Sequence, residues 1–202
     1  MNKHNNAHWY LKNTNLNLWA SIKAFGDDEC DRIIDYCEKQ LSKTKGEVYN
    51  ADISDTAIVN SKIRSCSVGF LNSTEQDTRW LFEKCSLIVN EVNSKVWNFD
   101  LDYIETLQYT IYDTLGDEYK THMDILGPNP NYRKLSFSIQ LDDPRNYQGA
   151  DLIINPTNDP ISATRERGTV TFFPSFVTHE VTPLIFGQRR SLVGWICGPA
   201  FR

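Results

Sequence analysis

The chain has 202 residues, the length of one compact domain at the usual ~100–200 residues each, which argues against a two-domain enzyme. Hydrophobic residues make up 40% and charged residues 23%, mean hydropathy is −0.46, and no apolar run approaches the ~18 residues of a membrane span, so a soluble protein with no membrane partner is expected. Lys and Arg number 21 against 26 Asp and Glu, a formal charge of −5, which argues against binding along a phosphate backbone and predicts no nucleic-acid partner.

The amino terminus, Met1-Asn2-Lys3-His4-Asn5-Asn6, has no apolar stretch of the signal-peptide kind, and the odd set of five cysteines (Cys30, Cys37, Cys66, Cys85, Cys197) contains no Cys-x-x-Cys. A reducing cytoplasm fits both features. His4 and His8 have the i, i+4 spacing of a metal pair but no nearby carboxylate or thiolate, so they read as part of an Asn-rich end. After Gly26-Asp27-Asp28, the residues Ile33, Ile34, Cys37 and Leu41 recur at helical spacing and predict an amphipathic helix with acidic residues at its positive end. Cys30 and Cys37 share that helix about 10 Å apart, too far for a disulfide. Residues 42–65 are polar and aperiodic and read as a long functional loop or lid. Ser73-Thr74-Glu75-Gln76 offers a capping box for a second helix, whose stripe Leu81, Cys85, Ile88 and Val92 ends near Asn93.

From Tyr103 the period falls to two. Glu105, Leu107, Tyr109 and Ile111 alternate with Thr106, Gln108, Thr110 and Tyr112, and Leu135, Phe137, Ile139 and Leu141 alternate with Ser136, Ser138 and Gln140. Further short strands are expected at 151–154, 169–173 and 191–197, separated by turns such as Asp143-Pro144 and Phe186-Gly187. Many short strands at this spacing suggest a jelly roll or sandwich. Its second, polar face must line a cavity, because polar side chains inside a barrel are costly unless solvated or bound. Trp195 and Phe172 read as core. The basic pairs Lys62/Arg64 and Arg165/Arg167 read as exposed charge.

The segment Tyr119-Lys120-Thr121-His122-Met123-Asp124 directly follows a strand. On a strand, residues two apart share a side, so His122 and Asp124 would project together and hold one metal while Met123 faces away. His179, in Thr178-His179-Glu180-Val181, supplies a third ligand. Two imidazoles and one carboxylate on one face of a metal leave adjacent positions open, as in iron(II) oxygenases; zinc remains an alternative. The strand after the turn at Pro183 to Gly187 carries Arg189 and, at the next same-face position, Ser191. A cation and a hydroxyl near such a metal describe a site for 2-oxoglutarate. Alternation lets only one of Arg189 and Arg190 face inward, and Arg189 is the candidate; Arg190 reads as solvated or meeting substrate.

These residues resemble those of the prolyl 4-hydroxylase-like 2-oxoglutarate- and iron(II)-dependent dioxygenases, including members found in marine phages and bacteria. The resemblance runs from about Tyr103 to Arg202. It rests on Tyr112-x9-His122-x-Asp124, on Tyr147-Gln148-Gly149-Ala150-Asp151-Leu152, on Gly168 through Phe173-Pro174-Ser175 to His179, and on Val181-Thr182-Pro183 with Gly187-Gln188-Arg189 and Trp195. The family commonly has two glycines before the acidic residue, and here Ala150 replaces the second. The resemblance implies that His122, Asp124 and His179 bind iron(II) and that Arg189 pairs with the distal carboxylate of 2-oxoglutarate. Tyr112, Ser191 and Gln140 would line or assist that pocket. It implies an α+β fold, a double-stranded β-helix (jelly roll) from about residue 101 with amino-terminal buttressing helices in residues 1–100, all one domain of residues 1–202. The implied reaction consumes dioxygen, releases succinate and carbon dioxide, and hydroxylates an unactivated carbon, with ascorbate as a reductant. A peptidyl prolyl residue in a peptide or protein is the first expectation for substrate. Lysyl, other amino-acid or small-molecule hydroxylation, an iron-dependent sensor without turnover, and a zinc hydrolase or metal isomerase are the alternatives. The segments 42–65, 125–133 and 155–167 would choose the substrate.

Overall fold

The computed structural model describes residues 17–49, 57–125, 132–155 and 159–199; His4, His8 and most of the 125–133 segment lie outside them. In chain order the elements are β1 (Ala20–Lys23), α1 (Asp27–Gln40), β2 (Thr44–Lys45), β3 (Glu47–Tyr49), β4 (Ala57–Val59), β5 (Ser67–Leu71), α2 (Arg79–Val96) and β6 (Tyr103–Ile104). They continue with β7 (Leu107–Tyr112), β8 (Tyr119–His122), β9 (Tyr132–Gln140), β10 (Tyr147–Gly149), β11 (Leu152–Ile154) and β12 (Ile161–Ser162). The last four are β13 (Thr169–Pro174), β14 (His179–Val181), β15 (Leu184–Gly187) and β16 (Arg189–Gly198). None of the described helices is long and apolar enough to cross a membrane.

An eight-stranded antiparallel sheet runs β1-β13-β9-β16-β7-β5-β2, with β6 also on β16. A four-stranded sheet runs β12-β11-β14-β8, and β10-β15 and β3-β4 pair separately. The alternation read in the sequence sorts the large sheet's two faces. Leu107, Tyr109 and Ile111 of β7, Leu135, Phe137 and Ile139 of β9, Val170 and Phe172 of β13, and Leu192 and Ile196 of β16 form one cluster with α1 and α2. Ile33, Ile34, Leu81, Val89 and Val92 are the helices' share of that core, each worth ~1.5–3 kcal/mol of burial. The opposite face supplies Val68, Tyr112 and Phe173 to a second cluster with Leu152, Ile154 and Val181 of the small sheet. The site lies on this second side.

Several local expectations change. Helix α2 begins at Arg79, not at a Ser73 capping box. Its N-cap Thr78 is helical in conformation and makes no side-chain cap bond, because its hydroxyl donates back to the Asn72 and Glu75 carbonyls and residues 73–78 form turns. It ends at Val96, a turn beyond Asn93. The 42–65 segment is not one irregular loop, since β2 extends the large sheet through β5 and β3 pairs with β4. Likewise β12 organises part of 155–167 by pairing with β11.

The bend at Gly149-Ala150 keeps its shape despite the missing second glycine. Gly149 holds φ +77 and Ala150 φ +51, and the Ala150 N–H donates to the Pro183 carbonyl at 3.1 Å. Alanine accepts this left-handed conformation at a cost of ~1–2 kcal/mol. Gly149 has no such latitude, since an added Cβ would run into the Pro183 carbonyl oxygen and lie 2.9 Å from the Ile185 nitrogen. Gly149→Ala is therefore expected to destabilise the fold by about 3 kcal/mol or more, lowering the Tm by roughly 6–12 °C for a domain of this size. A Tm within about 2 °C of wild type in a thermal melt would show that the β10–β15 approach is looser than described.

Candidate metal and co-substrate site

His122 closes β8 and His179 opens β14, and these strands pair with His122 directly opposite His179. Asp124 joins them by another route than strand alternation. The strand ends at His122, and Asp124 sits in the following turn, where its N–H and that of Ile125 both donate to the Ser175 carbonyl at 3.0 and 3.1 Å. The three side chains converge, one ligand atom of each lying within 4.8 Å of the others. His122 Nε2 is 3.7 Å from Asp124 Oδ1, and His179 Nε2 is 3.5 Å from Asp124 Oδ2. Met123 does not turn away; it lines the same cavity.

The donor chemistry of this cluster fits a divalent metal. His122 Nδ1 lies 2.7 Å from the Lys120 carbonyl and His179 Nδ1 lies 3.1 Å from the Val177 carbonyl. A carbonyl can only accept, so both imidazoles carry a proton on Nδ1 and aim Nε2 at the centre of the cluster. Burial, then the neighbouring His179, pushes the His122 pKa down to about 4, which keeps that ring neutral at pH 7. Burial pushes Asp124 up, but the two imidazoles and the Ser136 hydroxyl outweigh it and hold the carboxyl below its ordinary range. Two imidazoles and a carboxylate, all oriented by partners behind them, suit iron(II) or zinc.

The cluster opens on a cavity of about 400 Å³. Arg189, Ser191, Val193 and Trp195 of β16, Gln108, Thr110 and Tyr112 of β7, and Ser138 of β9 line it; the polar residues among them are those assigned to the inward face. Arg189 is buried, opposite Tyr112 in register, with its guanidinium carbon 5.7 Å from the Tyr112 ring centre. It reaches the cavity from the large sheet, whereas His179 lies in the small one, so no simple hairpin connects them. Ser191 is buried opposite Gln140 and Thr110. Tyr112 is buried, which raises its phenol well above the usual value and keeps it neutral.

Gln140 is placed differently from the expectation. It borders a separate cavity of about 10 Å³ that Arg189 also lines. Its Oε1 accepts from Arg189 Nε at 3.0 Å, while its Nε2 donates to the Tyr147 hydroxyl at 2.9 Å and to the Asp142 carbonyl at 3.2 Å. The amide is thus committed to holding Arg189 in place. Arg190 is half-buried rather than free in solvent; it forms a bidentate pair with Asp142, the closest contact being 2.5 Å.

Sequence reasoning missed several cavity residues. Arg64, read as exposed charge, is 7% exposed. Its guanidinium lies 4.6 Å over the Tyr119 ring, and Tyr119 in turn stacks on His122 with centroids 3.6 Å apart. Nε donates to Cys66 Sγ at 3.1 Å and Nη1 to the Glu47 carbonyl at 3.2 Å. Arg64 has no carboxylate partner among the described residues, and its place between Ile63 and the strand beginning at Ser67 was the available signal. Arg165 pairs with Asp151, Arg167 pairs with Asp31 and donates to the Leu141 carbonyl at 2.6 Å, and only Lys62 of the four is exposed. Trp195 is cavity wall as well as core, with the Arg133 guanidinium 4.1 Å over its ring.

The three cluster residues lie inside a stretch that is similar to known proteins. Residues 107–197 match the family model of the 2OG-Fe(II) oxygenase superfamily. A PKHD-type hydroxylase of Gloeothece citriformis is 32% identical over 95 residues, covering 46% of this chain and 43% of that protein. One from a Synechococcus species is 35% identical over 82 residues, covering 40% and 37%. The chain thus spans less than half the length of these curated relatives. Among solved structures, a Pseudomonas putida prolyl-4-hydroxylase superimposes with TM-score 0.69 at 16% identity, covering 91% of this chain and 94% of that one. A Trichoplax adhaerens prolyl hydroxylase in complex with a hypoxia inducible factor peptide fragment gives TM-score 0.71 at 17% identity, covering 90% and 84%. These likenesses show that the chain shares the fold of these prolyl hydroxylases, and the eight- and four-stranded sheets are consistent with a jelly roll. The stretch from β7 to β16, with the His-Asp-His cluster inside it, is thus similar to the 2OG-Fe(II) oxygenase superfamily.

Proposed function

We propose that this chain is a 2-oxoglutarate- and iron(II)-dependent dioxygenase that hydroxylates an unactivated carbon–hydrogen bond, with a peptidyl prolyl residue as substrate. The observation that carries the reading is that the His122, Asp124 and His179 cluster and the buried Arg189 line one cavity of about 400 Å³. His122 and His179 through Nε2, with the Asp124 carboxylate, would hold iron(II). Arg189, fixed by Gln140, would pair with the distal carboxylate of 2-oxoglutarate, with Ser191 assisting and Tyr112 forming the wall. Iron(II) with 2-oxoglutarate and dioxygen supplies the oxidising chemistry, yielding succinate, carbon dioxide and a hydroxylated carbon. The chain's own contribution is to orient the ligands and fix a cation for the co-substrate. Residues 1–202 would form this single domain, with α1 and α2 buttressing the larger sheet, and aerobic turnover would draw on ascorbate or another reductant. The peptide reading draws support from the neighbouring structure that holds a peptide fragment. A second reading, a small carboxylate-bearing substrate such as a free amino acid, is favoured by the Arg64 guanidinium on the cavity wall, which has no carboxylate partner among the described residues.

The test is to incubate the protein with iron(II), 2-oxoglutarate and ascorbate, adding proline-containing peptides, free amino acids or a peptide digest of a bacterial lysate. The expected result is succinate formed in step with a peptide that has gained one oxygen atom on proline. Oxygen gained only on free amino acids would select the second reading. Succinate no higher than the substrate-free background in every arm would contradict both.

A further inference from the structure

We infer that Ser136, backed by Ser175, is a positioning residue that fixes which oxygen of Asp124 faces the metal; this rests on the metal reading proposed above. Ser136 lies in the middle of the large sheet, opposite Phe173 on one side and Trp195 on the other. Its Oγ is 2.7 Å from Asp124 Oδ2 and 2.9 Å from Ser175 Oγ, and both serines are fully buried.

The direction of this chain of hydroxyls follows from the chemistry. An ionised carboxylate only accepts, so the single Ser136 proton goes to Asp124. Ser136 must then accept from Ser175, whose proton completes the relay. Ser175 also takes the Asp124 and Ile125 N–H groups on its carbonyl and is itself anchored by its N–H to the Lys134 carbonyl at 3.0 Å. One serine therefore holds the backbone of Asp124, and the pair holds its carboxylate. With Oδ2 held by the Ser136 hydroxyl, Oδ1, 3.7 Å from His122 Nε2, is the oxygen that the two hydroxyls leave unengaged, and the carboxylate is biased toward binding a metal through that atom. Losing the Ser136 hydroxyl would take the hydroxyl donor from Oδ2 and the acceptor from the buried Ser175 hydroxyl, and loosen the carboxylate's orientation.

The test measures the Mn(II) dissociation constant by electron paramagnetic resonance, with 2-oxoglutarate saturating, for wild type, Ser136→Ala and Ser175→Ala, at a temperature where circular dichroism shows each folded. Loss of a partner behind a metal ligand typically costs 10–100-fold in affinity, and that is the expectation for Ser136→Ala. Ser175→Ala should show a smaller loss, and decides the matter if Ser136→Ala does not fold. The apparent affinity for 2-oxoglutarate at saturating Mn(II) should stay unchanged, since neither hydroxyl reaches Arg189. Wild-type Mn(II) affinity in the folded variants, even with a lowered Tm, would mean the serines are merely structural and overturn the inference alone. Failure of wild type to bind Mn(II) would overturn the metal reading and the inference with it.

Discussion

His179→Ala is expected to abolish turnover and the stabilisation that Mn(II) with 2-oxoglutarate gives the wild-type protein. A ligand selective for the folded state adds about 2.7 kcal/mol at a hundredfold excess over its dissociation constant, which for a domain of this size is roughly 5–10 °C in Tm. Removing one of three protein ligands leaves only His122 and Asp124, too few to hold a divalent ion against water. The fold should survive, because His179 opens a short strand whose pairing with β11 and β8 runs through the backbone. Differential scanning fluorimetry with and without Mn(II) and 2-oxoglutarate reads the result. A shift retained in full by His179→Ala would remove the imidazole from the site.

The second large effect belongs to Arg189. Truncating one partner of a buried, hydrogen-bonded charge pair costs ~2–5 kcal/mol, so Arg189→Ala is expected to raise the KM for 2-oxoglutarate by about 30-fold or more. Mn(II) alone should still bind, because the ligand cluster is intact. Arg189→Lys should recover little, since an ammonium cannot donate to Gln140 Oε1 and to a carboxylate with the planar fork of a guanidinium. Measuring KM for 2-oxoglutarate and the Mn(II) dissociation constant side by side separates the roles. An unchanged KM in Arg189→Ala would mean that another cation, with Arg64 the obvious one, binds the co-substrate.

How much of this was legible in the sequence depends on whether the determinant was local. The period-two runs at 107–112 and 135–141 announced both faces of the large sheet, and the structure sends Leu135, Phe137 and Ile139 to the helices and Ser138, Tyr112 and Arg189 to the cavity. The His122, Asp124, His179 set was also legible, although the reason given for Asp124 was wrong. Proximity in sequence brought it near, but the Ser175 carbonyl, 51 positions away, sets its place. Ser136 was visible as an inward hydroxyl, yet only Gln140 was drawn from that face. Nothing local says which inward polar group meets Asp124 and which meets Arg189. Arg64 was misread for the same reason. Its burial comes from a glycine at 46 and the Tyr119 ring, since any Cβ at Gly46 would collide with the Arg64 side chain, and no spacing rule joins the three. The start of α2 failed because the Thr78 hydroxyl bonds back to the Asn72 and Glu75 carbonyls instead of capping the helix.

The most direct measurement is a crystal structure of the protein grown without oxygen in the presence of Mn(II) and 2-oxoglutarate. The account predicts one anomalous peak bounded by Nε2 of His122, Nε2 of His179 and Oδ1 of Asp124, with the distal carboxylate of 2-oxoglutarate against the Arg189 guanidinium. A metal bound away from these three side chains, or a co-substrate whose distal carboxylate rests on a different cation, would contradict it.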